Sequence, residues 1–427
     1  MNEFNFLDQI KKDKDNLVKD ICDFIKIPSV LDERPFDKEA PFGLEIRKSL
    51  DYILGLAKSF GFKTRDIDHV CGEVEYGEGK EIIGVLCHVD VVPAEGKWTY
   101  PPYEGHIEGD TIYGRGTVDD KGPAIVSLYA LKMLKDNGIM PKKRIRLIFG
   151  CDEETSMRGL ARYLKTEEMP DFGFSPDACF PIIYGEKGIM SMDIVGENKD
   201  KKLTSMQGGK RYNIVCDNVN VEYDEKIKSY EGVPAHAMDP GLGVNAILKA
   251  CDDLKDSSNE LIQFINKYLK DYRLFDMGLN VHDEEMKDLT CNVAIIDIDS
   301  NHSRLGLNFR YPLLSEMPNL YKVFEEKCKE FNLEMKVLHD DPPHYTDPHD
   351  EDINILHEAY IKYTNDHSPL VTIGGGTYAR ELKKGVAFGC MFPDEEDLCH
   401  QSNERISIER TLIACAIIAE AMYKLVK

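Results

Sequence analysis

The sequence predicts an α/β protein with a mixed, mostly parallel sheet and a second, inserted α+β domain. Strand-like and helix-like segments alternate over residues 1–188, a pattern typical of βαβ units and a largely parallel sheet. Over 189–311, pairs of strands are grouped with pairs of helices, which indicates a separate α+β unit. Alternation returns over 312–427, so we expect residues 1–188 and 312–427 to form one discontinuous domain.

The first part of the chain opens with amphipathic patterns. They predict a helix over 3–27, where Pro28 ends the pattern, and a second helix over 44–60, which Gly61 terminates. An apolar run that begins at Ile82 has the composition of a buried strand. The other elements predicted here are a hairpin over 62–76, strands at 144–149 and 178–184, and helices at 124–136 and 159–164.

The inserted part and the last part differ in the order of their elements. In the inserted part we predict strands at 190–195, 213–216, 290–298 and 304–311, and helices at 243–254 and 260–272. In the last part we predict helices at 317–331, 352–364 and 408–425, and strands at 333–338, 370–373 and 385–390. A chain of 427 residues is also too long for one simple core, so its length favours two domains.

Composition limits the classes of partner. The chain has 53 basic and 76 acidic side chains, a formal net charge of −23, which argues against nucleic acid and anionic membranes as partners. Its 12 cysteines are scattered without a CxxC pair, as expected of free thiols in a reduced compartment. The N-terminal segment is too charged for a signal peptide, and no stretch resembles a membrane span. We therefore expect a cytoplasmic protein.

Three short acidic segments stand out: GVLCHVDVVP at 84–93, RGTVDDKGP at 115–123 and FGCDEETS at 149–156. In an open α/β sheet, ligands bind beyond the carboxyl ends of the strands, so polar groups at these ends converge on one crevice. His88 and Asp90 are two residues apart on an extended chain, which places them on the same face roughly 7 Å apart. One of them can bind an ion while the other orients the ligating side chain. The pattern predicts a metal site.

The candidate residues of this site are imidazoles and carboxylates. Nitrogen and carboxylate ligands suit zinc, manganese or cobalt. Two ions that share a bridging carboxylate need about six such ligands and can generate hydroxide at neutral pH. In an adjacent pair of glutamates, one can ligate while the other takes a proton from water. The candidates are His88, Asp90, Asp119, Glu153, Glu154, Asp177 and His400.

Each candidate also has an ordinary structural explanation. The histidine and aspartate of HVD could be a hydrogen-bonded pair at a strand end, the glutamate pair suits a helix N-terminus, and His400 could be a buried histidine. A mononuclear iron oxygenase would need two histidines and one carboxylate, which leaves Asp177, Glu153 and one of the other carboxylates unexplained. A non-catalytic metal-binding scaffold would be expected to have lost at least one of these residues. Together the residues favour a catalytic metal site.

The motifs HVDVVP, GRGTVDDKG, DEET, SPDA and HQSNE resemble those of a co-catalytic dinuclear metallopeptidase family. This family contains carboxypeptidase G, aminoacylase, succinyl-diaminopimelate desuccinylase and PepV-type dipeptidases. The resemblance extends from about Ile27 to the C-terminal helix, and WTYPP, YGEKG and GGGTYAR are most similar to the PepV-type members. It implies a zinc-peptidase-like catalytic domain with an inserted lid.

The resemblance also implies a set of ligands for two divalent ions per chain. His88, Asp119 and Asp177 would hold one ion, and Asp119, Glu154 and His400 the other, with Asp119 bridging. Zinc is the expected metal, and manganese and cobalt are alternatives. A cis peptide at Asp119-Asp120 is a further expectation.

Two carboxylates are expected to act without binding an ion directly. Asp90 would orient His88 from behind, as carboxylates do for ligating imidazoles. Glu153 would be the general base that activates a metal-bridging water, and then the acid that protonates the leaving amine.

The resemblance further assigns substrate-binding residues. His236 would polarise the scissile carbonyl with help from Asn213, and Arg310 would anchor a carboxylate. Without the resemblance, Arg310 would be interpreted as a surface arginine at a strand end. Backbone N–H groups around Gly375, together with Thr377, could cradle the substrate carboxylate, although three consecutive glycines also suit a tight loop. Arg380 is a weaker candidate for the same role.

We therefore expect a hydrolase that cleaves the amide bond of dipeptides, Xaa-His dipeptides included. The alternative is a deacylase of N-acyl amino acids, such as succinyl-diaminopimelate desuccinylase. The resemblance implies that PepV-type lids are enlarged, so that a monomer supplies its own lid histidine, whereas dimeric relatives take it from a partner. The segment between Asn213 and His236 is shorter than in PepV-type enzymes. Monomer and homodimer therefore both stay open.

Overall fold

The computed structural model describes residues 4–34 and 37–427. The first residue of the helix predicted over 3–27 lies outside these ranges. The described residues form two compact units. Unit 1 comprises Met1–Tyr184, Tyr345–Val371 and Thr377–Lys427, and unit 2 comprises Gly185–His344 and Thr372–Gly376.

Helices and strands alternate along much of the described chain. The α-helices are α1 (Phe6–Lys12), α2 (Lys14–Ile25), α3 (Leu44–Ser59), α4 (Lys121–Asp136), α5 (Arg158–Thr166), α6 (Ala246–Asp253), α7 (Glu260–Tyr268), α8 (Met317–Lys329), α9 (Glu351–Thr364) and α10 (Ile408–Leu425). The strands up to the end of β9 are β1 (Lys63–Ile67), β2 (Cys71–Tyr76), β3 (Ile82–His88), β4 (His106–Glu108), β5 (Thr111–Tyr113), β6 (Arg144–Gly150), β7 (Phe172–Ser175), β8 (Ile183–Glu186) and β9 (Gly188–Glu197). The later strands are β10 (Leu203–Gly208), β11 (Asn218–Tyr223), β12 (Lys226–Glu231), β13 (His282–Asp283), β14 (Lys287–Asp288), β15 (Thr290–Ile298), β16 (His302–Tyr311), β17 (Glu334–Asp341), β18 (His344–Tyr345), β19 (Val371–Ile373), β20 (Gly385–Ala387) and β21 (Arg405–Ser407).

The main sheet of unit 1 runs in the order β1-β2-β6-β3-β7-β20, and β8 continues it. The four strands β6, β3, β7 and β20 are parallel to their neighbours within this group. The hairpin β1–β2 joins β6 antiparallel, and β8 joins β20 antiparallel. The predicted mixed α/β class is confirmed, with the parallel pairing concentrated in the centre of the sheet.

The centre of this sheet is buried because helices cover it. Every residue of β3 is buried, as its continuous apolar composition predicts for a parallel strand covered on both faces. Helices α4 and α10 pack on each other and are buried along most of their length. The side chain of Ser407 caps α10 by accepting the N–H of Arg410. The central strands are thereby held in a rigid core.

The first predicted helix is two helices in the structure. Asp13 ends α1 and precedes α2, with a backbone conformation outside the helical region. Aspartate is favoured at such junctions because its side chain competes with the helical backbone hydrogen bonds. The apolar spacing continues across the break, so periodicity alone did not reveal it.

Unit 2 contains a seven-stranded antiparallel sheet in the order β12-β11-β10-β15-β16-β9-β17. Its own apolar core includes residues of α6, α7 and α8. The predicted strand 213–216 is reduced to a single bridge between Ile214 and His236. Strands β10 to β12 were not predicted, because their sequences are largely polar and β12 is mostly exposed.

The predicted boundary at residue 312 is wrong for one segment. Helix α8 and strand β17 were assigned to the first domain, but they lie in unit 2. Strand β17 pairs antiparallel with β9 and forms an edge of the unit 2 sheet. A helix followed by a strand gives the same sequence pattern in a βαβ unit and at the edge of an antiparallel sheet, so the pattern did not distinguish the two.

Two other features concern the whole described chain. None of its helices combines the length and the apolar character that crossing a bilayer requires. The twelve cysteines are free thiols, and most are buried.

Candidate active site

The candidate active site of unit 1 lies at the carboxyl ends of its parallel strands. His88 is the last residue of β3, Glu153 and Glu154 follow the end of β6, and Asp177 follows the end of β7. Because β6, β3 and β7 are adjacent and parallel, these side chains emerge at the same edge of the sheet. The structure therefore brings together residues as far apart in the chain as His88 and Asp177.

Asp119 is the centre of this group. Its Oδ1 atom lies 3.0 Å from Nε2 of His88, and its Oδ2 atom lies 3.0 Å from Nε2 of His400. Each oxygen of one carboxylate thus faces a different imidazole. Such a two-sided carboxylate is the geometry that a ligand bridging two ions requires.

Each imidazole also faces a second carboxylate. Asp177 Oδ2 lies 3.4 Å from His88 Nε2, and Glu154 Oε2 lies 2.9 Å from His400 Nε2. Donor atoms of His88, Asp119 and Glu154 lie within 4.8 Å of one another. The site consists of two clusters, each with one imidazole and two carboxylates, that share Asp119.

Asp120 contributes to the site although the sequence analysis did not single it out. The Asp119-Asp120 peptide is cis, as the resemblance implies. Asp120 precedes α4, is fully buried, and its Oδ2 accepts the backbone N–H of His88 at 2.9 Å. Its position within TVDDKG was the available signal, but a backbone contact to β3 cannot be read from a motif.

Asp90 makes different contacts from those expected. Nδ1 of His88 lies 3.0 Å from the backbone carbonyl oxygen of Asp90 and 3.6 Å from its carboxylate. The carboxylate instead accepts the backbone N–H groups of Glu153 and Glu154, each at 3.2 Å. The backbone carbonyl thus accepts a hydrogen bond from Nδ1 of His88, and Nε2 faces the carboxylates.

Glu404 and Arg115 are buried partners that the sequence analysis also missed. Arg115 Nη1 donates to Glu404 Oε2 at 2.6 Å, and both side chains are essentially inaccessible to solvent. The same carboxylate accepts the backbone N–H of Asp119 at 3.2 Å. Both residues fall within motifs that resemble the metallopeptidase family, which was the only signal in the sequence.

The electrostatics of the site favour bound protons when no cation is present. Hydrogen bonds to Asp119 and Glu154 raise the pKa of His400 to about 11. The pKa of His88 is raised well above its usual value because the nearby carboxylates of Asp119, Asp177 and Asp90 outweigh the opposing effect of burial. Both imidazoles therefore carry positive charge that balances the surrounding carboxylates.

The carboxylates show the complementary pattern. Burial, followed by the charge of Asp119, raises the pKa of Glu154 to about 7 and also raises that of Asp177. Burial raises the pKa of Glu153 well above its usual value, and the charges of Asp177 and Glu154 add to the effect. Burial opposes ionisation of Asp119 too, yet its hydrogen bonds to His400 and His88 hold its pKa below the usual range.

This donor set fits a pair of divalent cations. The ion-pair partners of Asp119, Glu154 and Asp177 among the described residues are the two imidazoles, and no lysine or arginine of the described chain pairs with them. Glu154 Oε1 is buried and has no hydrogen-bond partner in the described structure. Nitrogen and oxygen donors without thiolates suit zinc, manganese or cobalt. Cations would replace the protons that now balance the carboxylates.

Two of the predicted substrate-binding residues lie side by side in unit 2. The backbone N–H of Ala237 donates to the carbonyl oxygen of Asn213 at 2.8 Å, beside the bridge between Ile214 and His236. Nδ1 of His236 accepts the backbone N–H of Met238 at 3.2 Å. The ring proton is therefore assigned to Nε2, which makes that atom a hydrogen-bond donor.

Arg310 and the glycine loop also lie in unit 2. Arg310 is 4% exposed, so its interpretation as a surface arginine is wrong. Its Nη1 donates to the carbonyl oxygen of Gly374 at 2.7 Å, and its Nε donates to Asn308. A Cβ atom at Gly374 would lie 2.8 Å from Cβ of Met238, so only glycine allows this close approach. Gly375 lies in the same loop.

Thr377 and Arg380 lie in unit 1, because the boundary between the units falls after Gly376. The side chain of Thr377 accepts the N–H of Ala379 and caps a short 3₁₀ helix that includes Arg380. Thr377 thus has a local structural role, and the structure places it and Arg380 in a different unit from Arg310.

A mixed sheet whose parallel strands carry two imidazole–carboxylate clusters, joined by one aspartate, at their carboxyl ends is the arrangement expected of a metal-dependent hydrolase. The family comparison makes this class specific. The family model described as "Peptidase family M20/M25/M40" matches residues 84–424, so the chain belongs to this family of metallopeptidases.

Individual relatives agree with the family assignment. A protein of Staphylococcus aureus (strain MW2), provisionally named a dipeptidase, is 40% identical, with 98% of each chain covered. The crystal structure of human carnosine dipeptidase 1 has a TM-score of 0.66 at 14% identity and covers 98% of each chain. The Bacillus subtilis YXEP protein, described as a dinuclear metal-binding peptidase, has a TM-score of 0.58 at 11% identity, covering 97% and 99% of the two chains. At these identities the solved structures establish the fold.

Proposed function

We propose that the protein is a dipeptidase of the PepV type, which hydrolyses the amide bond of dipeptides, Xaa-His dipeptides included. The observation that carries this proposal is the placement of two imidazole–carboxylate clusters around Asp119, with Glu153 beside them. The staphylococcal relative and human carnosine dipeptidase 1 support the choice of dipeptides through their names. We further propose that the protein acts in the cytoplasm as a monomer or a homodimer.

We assign the ligands of two divalent ions from the two clusters. His88, Asp119 and Asp177 would hold one ion, and Asp119, Glu154 and His400 the other. Zinc is the proposed metal, with manganese or cobalt as alternatives. When bound, such ions polarise a carbonyl oxygen and lower the pKa of a water molecule.

Glu153 is the proposed general base and then the general acid. Its backbone is fixed by the Asp90 carboxylate, and it lies next to Glu154 at the end of β6. A carboxylate in this position can take a proton from the attacking water and deliver it to the leaving amine. Because Glu153 passes the proton that it takes from water to the leaving amine, its protonation state is restored after each turnover.

Residues of unit 2 are proposed to bind the substrate. His236 can donate its Nε2 proton to a carbonyl oxygen that gains charge in the transition state, and Asn213 lies beside it. Arg310 is proposed to bind the substrate carboxylate together with backbone N–H groups near Gly375. Thr377 stays a candidate for the same carboxylate cradle, and Arg380 stays a weaker one.

The experiment is a substrate panel with metal-stripped protein, reloaded separately with zinc and manganese. The panel contains β-Ala-His, Ala-Ala and N-succinyl-diaminopimelate, and Glu153→Gln serves as the matched inactive control. We expect hydrolysis of at least one dipeptide that depends on added metal and is lost in the control.

The other outcomes overturn the proposal in different ways. Activity on the succinyl compound alone would make the protein a deacylase of N-acyl amino acids. Absence of activity on the whole panel, with both ions bound, would contradict the dipeptidase function.

A further inference from the structure

We infer that Glu404 is a positioning residue, whose carboxylate holds the bridging Asp119 and the His400 turn in place for metal binding. The inference rests on the metal site proposed above, and it does not depend on which substrate the protein cleaves. Among the described residues, the Glu404 side chain has no hydrogen bond to the side chains of the assigned ligands. It acts through the backbone that carries one of their ligands.

The Glu404 carboxylate lies in a nest of backbone N–H groups. Its Oε1 atom accepts the N–H groups of Gly116 at 3.0 Å, Val118 at 2.8 Å and Asp119 at 3.2 Å. Its Oε2 atom lies 3.1 Å from the Gly116 nitrogen. Successive N–H groups that converge in this way form an anion-binding concavity. The segment that leads into Asp119 is therefore wrapped around one negative charge.

The backbone of Glu404 makes a further contact with the same segment. Its carbonyl oxygen accepts the N–H of Gly114 at 2.9 Å. The side chain and main chain of Glu404 thus contact five residues of the 114–119 segment, Asp119 included. A shift of Glu404 would move the backbone that carries both oxygens of the shared carboxylate.

Glu404 is also close in the chain to the ligand His400, which precedes it by four residues. The intervening turn contains two residues in the left-handed region, His400 with φ 65° and Asn403 with φ 62°. Asn403 Oδ1 accepts the N–H of Thr99 at 2.7 Å, which ties the turn to the body of unit 1. Glu404 therefore fixes the end of the turn that presents His400 to Asp119 and Glu154.

The alternative explanation is that Glu404 only neutralises the buried Arg115. The ion pair is short, at 2.6 Å, and Arg115 is 1% exposed. Removing one partner of such a pair leaves a buried charge uncompensated and destabilises the fold. This explanation predicts that the metal site recovers once the charge is balanced again, whereas positioning through the N–H nest predicts that it does not.

Four proteins separate the two explanations: wild type, Glu404→Gln, Arg115→Met and the double variant. Glutamine keeps the size of the side chain but lacks the charge, so its single carbonyl oxygen is a weaker acceptor for the three N–H groups than the carboxylate, and its NH₂ group accepts none. The double variant removes both charges, so it relieves the uncompensated arginine. The measurements are the affinity for zinc and for cobalt in competition with a chelator, and the melting temperature of the metal-free protein.

We expect Glu404→Gln to weaken metal binding by about 10–100-fold, the usual effect of removing a group that supports a ligand. Arg115→Met should bind metal nearly as wild type does, because the carboxylate and its N–H partners are retained. The double variant should regain the melting temperature lost by Glu404→Gln but not the metal affinity. Wild-type affinity in the double variant, or in Glu404→Gln itself, would overturn the inference.

Glu404→Asp provides a second test if Glu404→Gln does not fold. Aspartate keeps the charge opposite Arg115, but its shorter side chain cannot reach all three N–H groups. We expect weaker metal binding in this variant with the fold retained, and unchanged affinity would contradict positioning. If wild-type protein binds two ions but cleaves no dipeptide, the proposed function fails while this inference is still decided by the affinities.

Discussion

The carboxylate of Asp90 accepts the backbone N–H of Glu153 at 3.2 Å. The same carboxylate holds the N–H of Glu154, while His88 Nδ1 lies closer to the Asp90 carbonyl oxygen, at 3.0 Å, than to the carboxylate, at 3.6 Å. The acidic side chain therefore fixes the glutamate segment after β6 more directly than it orients the histidine.

This relationship leads to a prediction for Asp90→Asn. Asparagine offers one acceptor oxygen where the carboxylate offers two, so one of the two glutamate N–H groups loses its partner. We expect a lower kcat and weaker binding of the ion assigned to Glu154 and His400. Metal affinities are measured in the Asp177→Ala and His400→Ala backgrounds, each of which removes a ligand of a different assigned site. Selective weakening of the ion assigned to His88 would instead support orientation of that histidine.

Glu153→Gln tests the general base. The substitution keeps size and backbone contacts but removes proton acceptance, so we expect kcat to fall by about 10²–10⁴-fold with both ions still bound. Steady-state kinetics and metal analysis of the same sample provide the measurement. An unchanged kcat would remove Glu153 as the base.

His400→Ala tests the cluster formed by Asp119, Glu154 and His400. Nε2 of His400 lies 2.9 Å from Glu154 Oε2, so loss of His400 should cost at least one ion per chain. His302→Ala is a suitable control, because the His302 side chain is 79% exposed and lies in unit 2. Metal content is measured by elemental analysis after dialysis. Full occupancy in His400→Ala would contradict its assignment as a ligand.

His236→Ala tests the contribution of unit 2. Because His236 is assigned to the substrate, we expect a lower kcat with an unchanged number of bound ions. The comparison of kinetics with metal content separates this effect from loss of the metal site. A wild-type rate would mean that the histidine takes no part in catalysis.

The pKa shifts predict how metal binding depends on pH. Contacts with Asp119 and Glu154 raise the pKa of His400 to about 11, so the metal-free protein holds a proton there at neutral pH. A cation must displace this proton, so metal binding releases protons and its affinity increases as pH rises. Calorimetric titration in buffers of different ionisation enthalpy measures the release. Proton uptake, or an affinity independent of pH, would contradict the assignment.

The site residues that could be predicted from the sequence are metal-ligating residue types that lie at or near the ends of strands. His88 ends the predicted strand β3 and the two glutamates follow the strand predicted at 144–149, and parallel strands bring such ends together. Asp177 was expected to precede a strand at 178–184, whereas in the structure it follows β7. The contacts of Glu404 could not be predicted in this way. It lies 285 positions from Asp119 and acts on backbone N–H groups, which leave no pattern in the sequence.

The same distinction applies to the fold. Elements were predicted where the local sequence pattern reflects burial, and they were missed or misplaced where that pattern is weak or where pairing with distant strands decides. Buried strand β3 and helix α10 were predicted because their apolar patterns reflect burial. Strand β12 was missed because its side chains are largely exposed, and β17 was assigned to the wrong domain because its pairing with β9 is a long-range property.

The central claim is that two ions held around Asp119 are needed for peptide hydrolysis. The most direct measurement titrates metal-stripped protein with zinc while activity on a cleaved dipeptide and the number of bound ions per chain are followed together. We predict that full activity is reached at about two ions per chain, and that Asp119→Asn does not reach it at any metal concentration. Full activity with a single bound ion, or in metal-free protein, would contradict this account.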